Sequence, residues 1–283
     1  MNLVLDLRPP ESRLYGSWEE RLAAVVRFSR PDEVHAVCEK AYALGARAVL
    51  AVLDDPIREA LASFQRWRDM ALWAVVPNMF AFIRDFTDLG MVGAARVRFM
   101  RLGPAAMIRT GLGAATQLPA VLKKDFATGA LLVADMELAG LRGLRVSRLV
   151  LHPQLTELGL AGGVRHLFTA VADRAARAGI EAGLATNNPL RAAEVLGPDL
   201  RRFGVVVSPA NPKGWKMFPD RAACERLYRT DPARFAASEI TAGGTIAPAA
   251  ALAHLDALGL GTAVLDARAV DEAFRAGATR AAS

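Results

Sequence analysis

Short apolar runs recur along the whole chain, each ending in polar or turn-forming residues and each followed by a helical pattern. That alternation restricts the fold more than any other feature. Residues 205–208 are the clearest case: a buried strand that breaks into Pro209, Asn211, Pro212, Lys213 and Gly214, with Trp215 beside them. Further strand candidates fall at 23–28, 48–53, 72–76, 97–102, 148–151, 182–185, 235–240 and 262–265, with helical patterns between them. Short strands alternating with helices are the pattern of parallel βαβ units. Eight such strands close a barrel. The ninth candidate is then extra, and residues 97–102 are the expected outlier because Arg96, Arg98 and Arg101 give that run a half-polar alternation.

The reading is therefore α/β: a single (β/α)8 TIM barrel over residues 1–283, with a short lead before the strand at 23–28. A helical insertion at 103–145 precedes the strand that ends at His152. A doubly wound open sheet is the alternative, and it lacks a G-x-G-x-x-G after its first strand. The insertion is too long for one crossover helix. It is expected to cover the barrel or to form the contact of a homo-oligomer.

Composition narrows the function. The 283 residues carry a net charge of +6, a hydrophobic fraction of 53% and an aromatic fraction of 7%. Arginines are scattered over the helices rather than interleaved with aromatics, so no nucleic-acid surface is expected. The most apolar region, 103–144, is interrupted by Arg109, Pro119, Lys123, Lys124, Asp125, Asp135 and Glu137. No membrane span is expected there. The N-terminus has no basic-then-apolar leader. Cys38 and Cys224 have no metal spacing, and reduced thiols in a cytoplasmic protein fit them.

In a barrel, the residues just past each strand converge on one face. Here that set contains Arg27, Asp54, Asp55, Asn78, His152, Gln154, Thr186, Asn187, Asn188, Asn211, Lys213, Glu239 and Asp266. His152 follows four apolar residues and precedes Pro153, a strand-mouth position where an imidazole works as an acid or base near neutral pH. His152, Asp54 and Glu239 are the catalytic candidates, with a carboxylate expected to partner the imidazole. Alternation turns only one of Asp54 and Asp55 to the pocket. Asp54 has the better strand-end position, and Asp55 before Pro56 reads as the helix cap. Asn78, Asn187, Asn188, Asn211 and Lys213 are the substrate-binding candidates, with Lys213 suited to an anion. No H-x-H, H-x-x-x-H or D-x-D spacing suggests a metal site.

The second half also resembles a known family. Leu149-Val150-Leu151-His152-Pro153 resembles the strand-end histidine motif of the aldo-keto reductases. Gly183-Leu184-Ala185-Thr186-Asn187-Asn188 resembles the strand that follows it, and residues 239–244 sit where that family has a conserved turn. The resemblance covers residues 148–277. It implies a (β/α)8 barrel, NADP as cofactor, and Asp54 and His152 as members of the catalytic set. The family's tyrosine and lysine have no counterpart at the second and third strand ends, and Leu265-Asp266-Ala267-Arg268 puts an acid in place of a basic phosphate loop. The expectation is a cytoplasmic enzyme that acts on a small polar, carbonyl-bearing or anionic metabolite by acid/base chemistry. Two alternatives stand beside it: an NAD(P)H-dependent reductase and a non-catalytic binding or assembly protein.

Overall fold

A computed structural model describes residues 1–8, 17–100 and 126–267. Its strands are β1 (Asn2–Asp6), β2 (Ala48–Val52), β3 (Ala71–Val76), β4 (Val146–Leu151), β5 (Glu181–Ala185), β6 (Val205–Pro209), β7 (Phe235–Ser238) and β8 (Thr262–Asp266). Each pairs in parallel with its neighbours in chain order, and β1 pairs with β8, so the sheet closes into an eight-stranded barrel. The described helices are α1 (Trp18–Phe28), α2 (Pro31–Ala43), α3 (Asp55–Phe64), α4 (Met79–Met100), α5 (Phe126–Gly140), α6 (Pro153–Ala161), α7 (Arg165–Arg177), α8 (Pro189–Leu196), α9 (Arg221–Thr230) and α10 (Pro248–Leu258). The expected α/β barrel is the fold. Among the described residues no helix is long and apolar enough to cross a membrane.

Two strand readings change. The barrel begins with Asn2–Asp6, which the sequence reading treats as a lead. Leu3 and Leu5 of this strand face the helical layer, and Val4 faces the barrel interior. The run at 23–28 lies instead in α1, where Ser29 N–H donates to Val25 C=O at 3.0 Å in helical fashion. Its apolar residues extend a helical turn that starts at Trp18, and all eight places in the barrel are taken by other strands. Residues 97–100 of the half-polar ninth candidate close α4, which bends at Gly90, where φ is +67°. Residues 101 and 102 lie outside the described residues.

Period-two alternation sorts each strand into an inner and an outer face. Val4, Leu50, Val52, Trp73, Val75, Val150, Ala185, Val205, Val207, Ala236 and Val264 form one buried cluster inside the barrel. The outer residues join a second, larger cluster with the helices. At the N-terminal end of the barrel, the Arg148 guanidinium lies 4.3 Å from the Trp73 ring centroid and pairs with Glu181. On the outer side of β6, the buried Tyr228 hydroxyl donates to Pro209 C=O at 2.6 Å and lies 3.0 Å from Ser208 Oγ.

The long crossover between β3 and β4 contains α4 and α5. The described part of the insertion packs on its own barrel: Asp135 pairs with Arg174 of α7 at 2.7 Å, and Leu131 and Ala134 are buried. Residues 101–125, most of the expected insertion, lie outside the described residues.

Gly183 is an inner-face position where a side chain does not fit. An added Cβ would lie 2.7 Å from Val205 Cγ1 and 3.1 Å from Val150 Cγ2. Overpacking of this kind costs roughly 1–3 kcal/mol. The Gly183→Ala variant is expected to lose stability on that scale, read as a lower urea midpoint with an unchanged slope.

Candidate active site

The inner-face alternation that fills the barrel with valines continues to its C-terminal rim, where polar residues take the inward places. Asp6 follows Val4, His152 follows Val150, Ser238 follows Ala236 and Asp266 follows Val264. Asp6, His152 and Ser238 are buried, at 4%, 3% and 3% exposure. Buried polar groups ordinarily find partners. The partners these residues have define what the mouth can do.

His152 ends β4 and caps α6. Its Nδ1 accepts from the Gln154 N–H at 3.2 Å, its backbone N–H donates to Val76 C=O, and the Phe80 ring meets it edge-on at 5.8 Å. Burial first, and the Arg8 guanidinium second, push the imidazole from its ordinary 6.5 down to about 4. The ring is therefore neutral near pH 7. An Nδ1 that accepts a hydrogen bond leaves the proton on Nε2. Nε2 makes no hydrogen bond among the described residues, so it is a donor available to the mouth.

The expected carboxylate partner for His152 is absent among the described residues: neither Asp54 nor Glu239 bonds to it. Asp54 is exposed and caps α3, accepting from the Ile57 N–H at 2.9 Å, and Asp55 is the first helical residue. The cap falls to Asp54 rather than to Asp55, because the chain is still extended at Asp54 and enters the helix at the next residue. The most buried carboxylate at the strand ends is Asp6. The Arg8 Nε lies 3.0 and 3.1 Å from its two oxygens, and Nη2 lies 2.7 Å from Oδ2. Sequence reasoning missed this pair because β1 was missed. The short apolar run Leu3-Val4-Leu5 ending in Asp6 was the available signal.

On β5, Glu157 of α6 accepts from Thr186 Oγ1 at 2.8 Å and from the Asn187 N–H at 2.7 Å. The Phe218 N–H donates to Asn187 C=O at 2.9 Å. The Asn187 backbone is thus held from both sides, while its side chain makes no hydrogen bond among the described residues. Asn188 caps α8 through the Arg191 N–H at 3.0 Å. Asn78 caps α4 through the Ala81 N–H and donates to Leu53 C=O, and its own N–H donates to Glu137 of α5.

After β6 and β7 the loops interlock. Asn211 is fully buried; its Nδ2 donates to Trp215 C=O at 3.0 Å and Glu239 C=O at 3.2 Å, and its Oδ1 accepts from the Trp215 N–H at 2.9 Å. Every polar atom of this amide is occupied within the loops, so Asn211 shapes the mouth rather than offering a free donor to it. Lys213 is exposed, with Nζ 3.4 Å from Thr245 C=O. The cation brought to Glu239 is Lys216, at 2.8 Å. The left-handed backbone at Gly214 and Lys216 turns this loop tightly, with Gly214 N–H donating to Asn211 C=O and Met217 N–H to Gly214 C=O, and local composition does not announce that path.

Among the described residues no group of three or more His, Cys, Asp or Glu gathers to hold a metal. The cysteines are buried and unpaired, and burial pushes both thiols up, Cys38 to about 12 and Cys224 to about 11. They are poor nucleophiles. Comparison with protein-family models, with curated proteins and with solved structures gives no match to this chain.

Two outcomes follow from the state of His152. Arg8 is the lesser cause of its low basicity, so the Arg8→Gln variant should titrate above 4 but still below 6.5, read from the ring-proton shifts by NMR. Between pH 6.5 and 4 the unfolded chain binds a proton at this position and the folded chain does not. Stability therefore falls as pH drops through that window, by roughly 3 kcal/mol in total. His254, also lowered chiefly by burial, acts in the same direction. His152→Gln should make the acid limb of the stability–pH curve shallower.

Proposed function

We propose that this chain is a barrel enzyme that acts on a small polar metabolite bearing a carbonyl group, with His152 as the neutral electrophile. The observation that carries this reading is the buried imidazole at the strand mouth, capped on Nδ1 by a backbone N–H and kept uncharged. A neutral imidazole donating from Nε2 stabilises a carbonyl oxygen as it gains charge, and it does so most effectively where water is excluded. A ring that protonates only near pH 4 is a weak base at neutral pH. The reading therefore shifts from general base to hydrogen-bond donor and proton donor. Reactions that build negative charge on a carbonyl oxygen fit it: enolisation, retro-aldol cleavage and hydride addition.

The neighbouring groups support this assignment. Asn187, with its backbone clamped by Glu157 and Phe218, presents an amide at the end of the strand next to that of His152. Arg8, anchored on Asp6, adds positive potential beside the ring.

Hydride addition is the case implied by the resemblance to aldo-keto reductases, and the strand-end His152 and the Thr186–Asn187–Asn188 turn favour it. NADP would be the cofactor in that case. Asp266 ends β8 where the loop toward the cofactor phosphate would begin, and Arg268 lies outside the described residues.

Proton–deuterium exchange in D2O separates these cases. Small 2-oxo and hydroxycarbonyl acids of three to six carbons are incubated with the purified chain, without and then with NADPH. Exchange α to the carbonyl without cofactor supports enolisation, and consumption of NADPH supports the reductase. In either case His152→Gln should lower the rate roughly 100-fold or more with folding intact. An unchanged rate in that variant would remove His152 from the mechanism.

A further inference from the structure

The loops after β6 and β7 bring one ammonium and one carboxylate together at the rim of the barrel. Lys216 Nζ lies 2.8 Å from Glu239 Oε1 and 4.3 Å from the Trp215 ring centroid. Their side chains are 26% and 18% exposed, sheltered yet reachable. Both residues have a left-handed backbone, φ +59° for Lys216 and +52° for Glu239, a conformation that non-glycine residues rarely adopt. The ion pair is not the sole tie between the loops, because the buried Asn211 amide donates to Glu239 C=O across them while bonding Trp215 within its own loop. Strained backbone that delivers a half-buried ion pair to a cleft is the kind of arrangement found at ligand sites.

The valences left open define the ligand. An ammonium has three N–H donors, and one is taken by Glu239 Oε1. Among the described residues no other group bonds to Lys216 Nζ, and Glu239 Oε2 accepts from none. The rim therefore offers donors of a cation beside a bare acceptor of an anion. A phosphate dianion fits poorly, since the pair is neutral overall and Glu239 repels a second negative charge. A monoanionic carboxylate fits Lys216, and a hydrogen-bond donor on the adjacent carbon fits Glu239.

We propose that Lys216 and Glu239 bind the 2-hydroxy- or 2-amino-carboxylate end of a small ligand, with Lys216 holding its carboxylate and Glu239 its hydroxyl or ammonium group. This rests on the reading above that the mouth takes a small carbonyl-bearing metabolite, and it names the group at the opposite end of that metabolite. Trp215 shields the ammonium on one face and confines the carboxylate to the other.

Calorimetric titration of the full chain with four probes tests it: glycerate, serine, pyruvate and glycerate methyl ester. Glycerate or serine should bind at least tenfold more tightly than pyruvate, which lacks the donor, and than the ester, which lacks the charge. Whichever of glycerate and serine binds more tightly identifies the hydroxyl or the ammonium as the preferred donor. Lys216→Met should abolish binding of both, Lys216→Arg should retain it, and Glu239→Gln should reduce the preference over pyruvate while carboxylate binding persists. These affinities are read without turnover, so failure of the His152 reading in the exchange assay would not affect this result. Equal binding of the ester and the acid, wild-type affinity in Lys216→Met, or no binding of any probe would each overturn the assignment. Should Lys216→Met not fold, the Glu239→Gln preference decides alone.

Discussion

Closure of the barrel by the β1–β8 pairing is the interaction on which everything else depends. An open eight-stranded sheet would leave two edges of unpaired backbone and no defined interior. With the register Asn2 opposite Thr262 through Asp6 opposite Asp266, five short residues complete the ring. Closure also makes alternation meaningful: one face of each strand enters the valine-lined interior and the other meets the helices. The same register puts Asp6 beside Asp266 and aligns the rim around His152. A strand of five residues at the extreme end of the chain thus determines both the core and the geometry of the mouth.

The rim shows how backbone geometry sets chemistry. His152 is neutral because it is buried, because a guanidinium stands beside it, and because a backbone N–H occupies Nδ1. Arg8 is anchored by Asp6, so its charge is localised near the ring. After β6 and β7, left-handed residues and a buried asparagine bring Lys216 to Glu239. In the proposed reading these two centres are complementary, one suited to an oxygen that gains charge and the other to a group that already carries it.

Much of the fold was legible in the sequence because hydrophobic periodicity is a local signal. The strands near residues 48–53, 72–76, 148–151, 182–185, 205–208, 235–240 and 262–265 all appear in the barrel. The first strand was not legible: five residues at a terminus carry little periodicity, and a longer apolar run at 23–28 competed with them. That run lies in a helix because strand formation needs a partner edge, and none was left.

At the candidate site, residue type and strand-end position were enough to nominate His152, Asn187 and Glu239. They were not enough to assign partners. Whether Asp54 or Asp55 caps a helix depends on one backbone step. Whether Lys213 or Lys216 faces Glu239 depends on how a glycine- and proline-rich loop turns, and whether Asn211 is free depends on which carbonyls surround it. The sequence by itself determined a βα alternation and hence a barrel with a polar rim, since both follow from short-range patterns of apolar and polar residues. Only the tertiary structure decided which rim groups are neutral, paired or open, because burial and charge proximity arise from residues far apart in the chain.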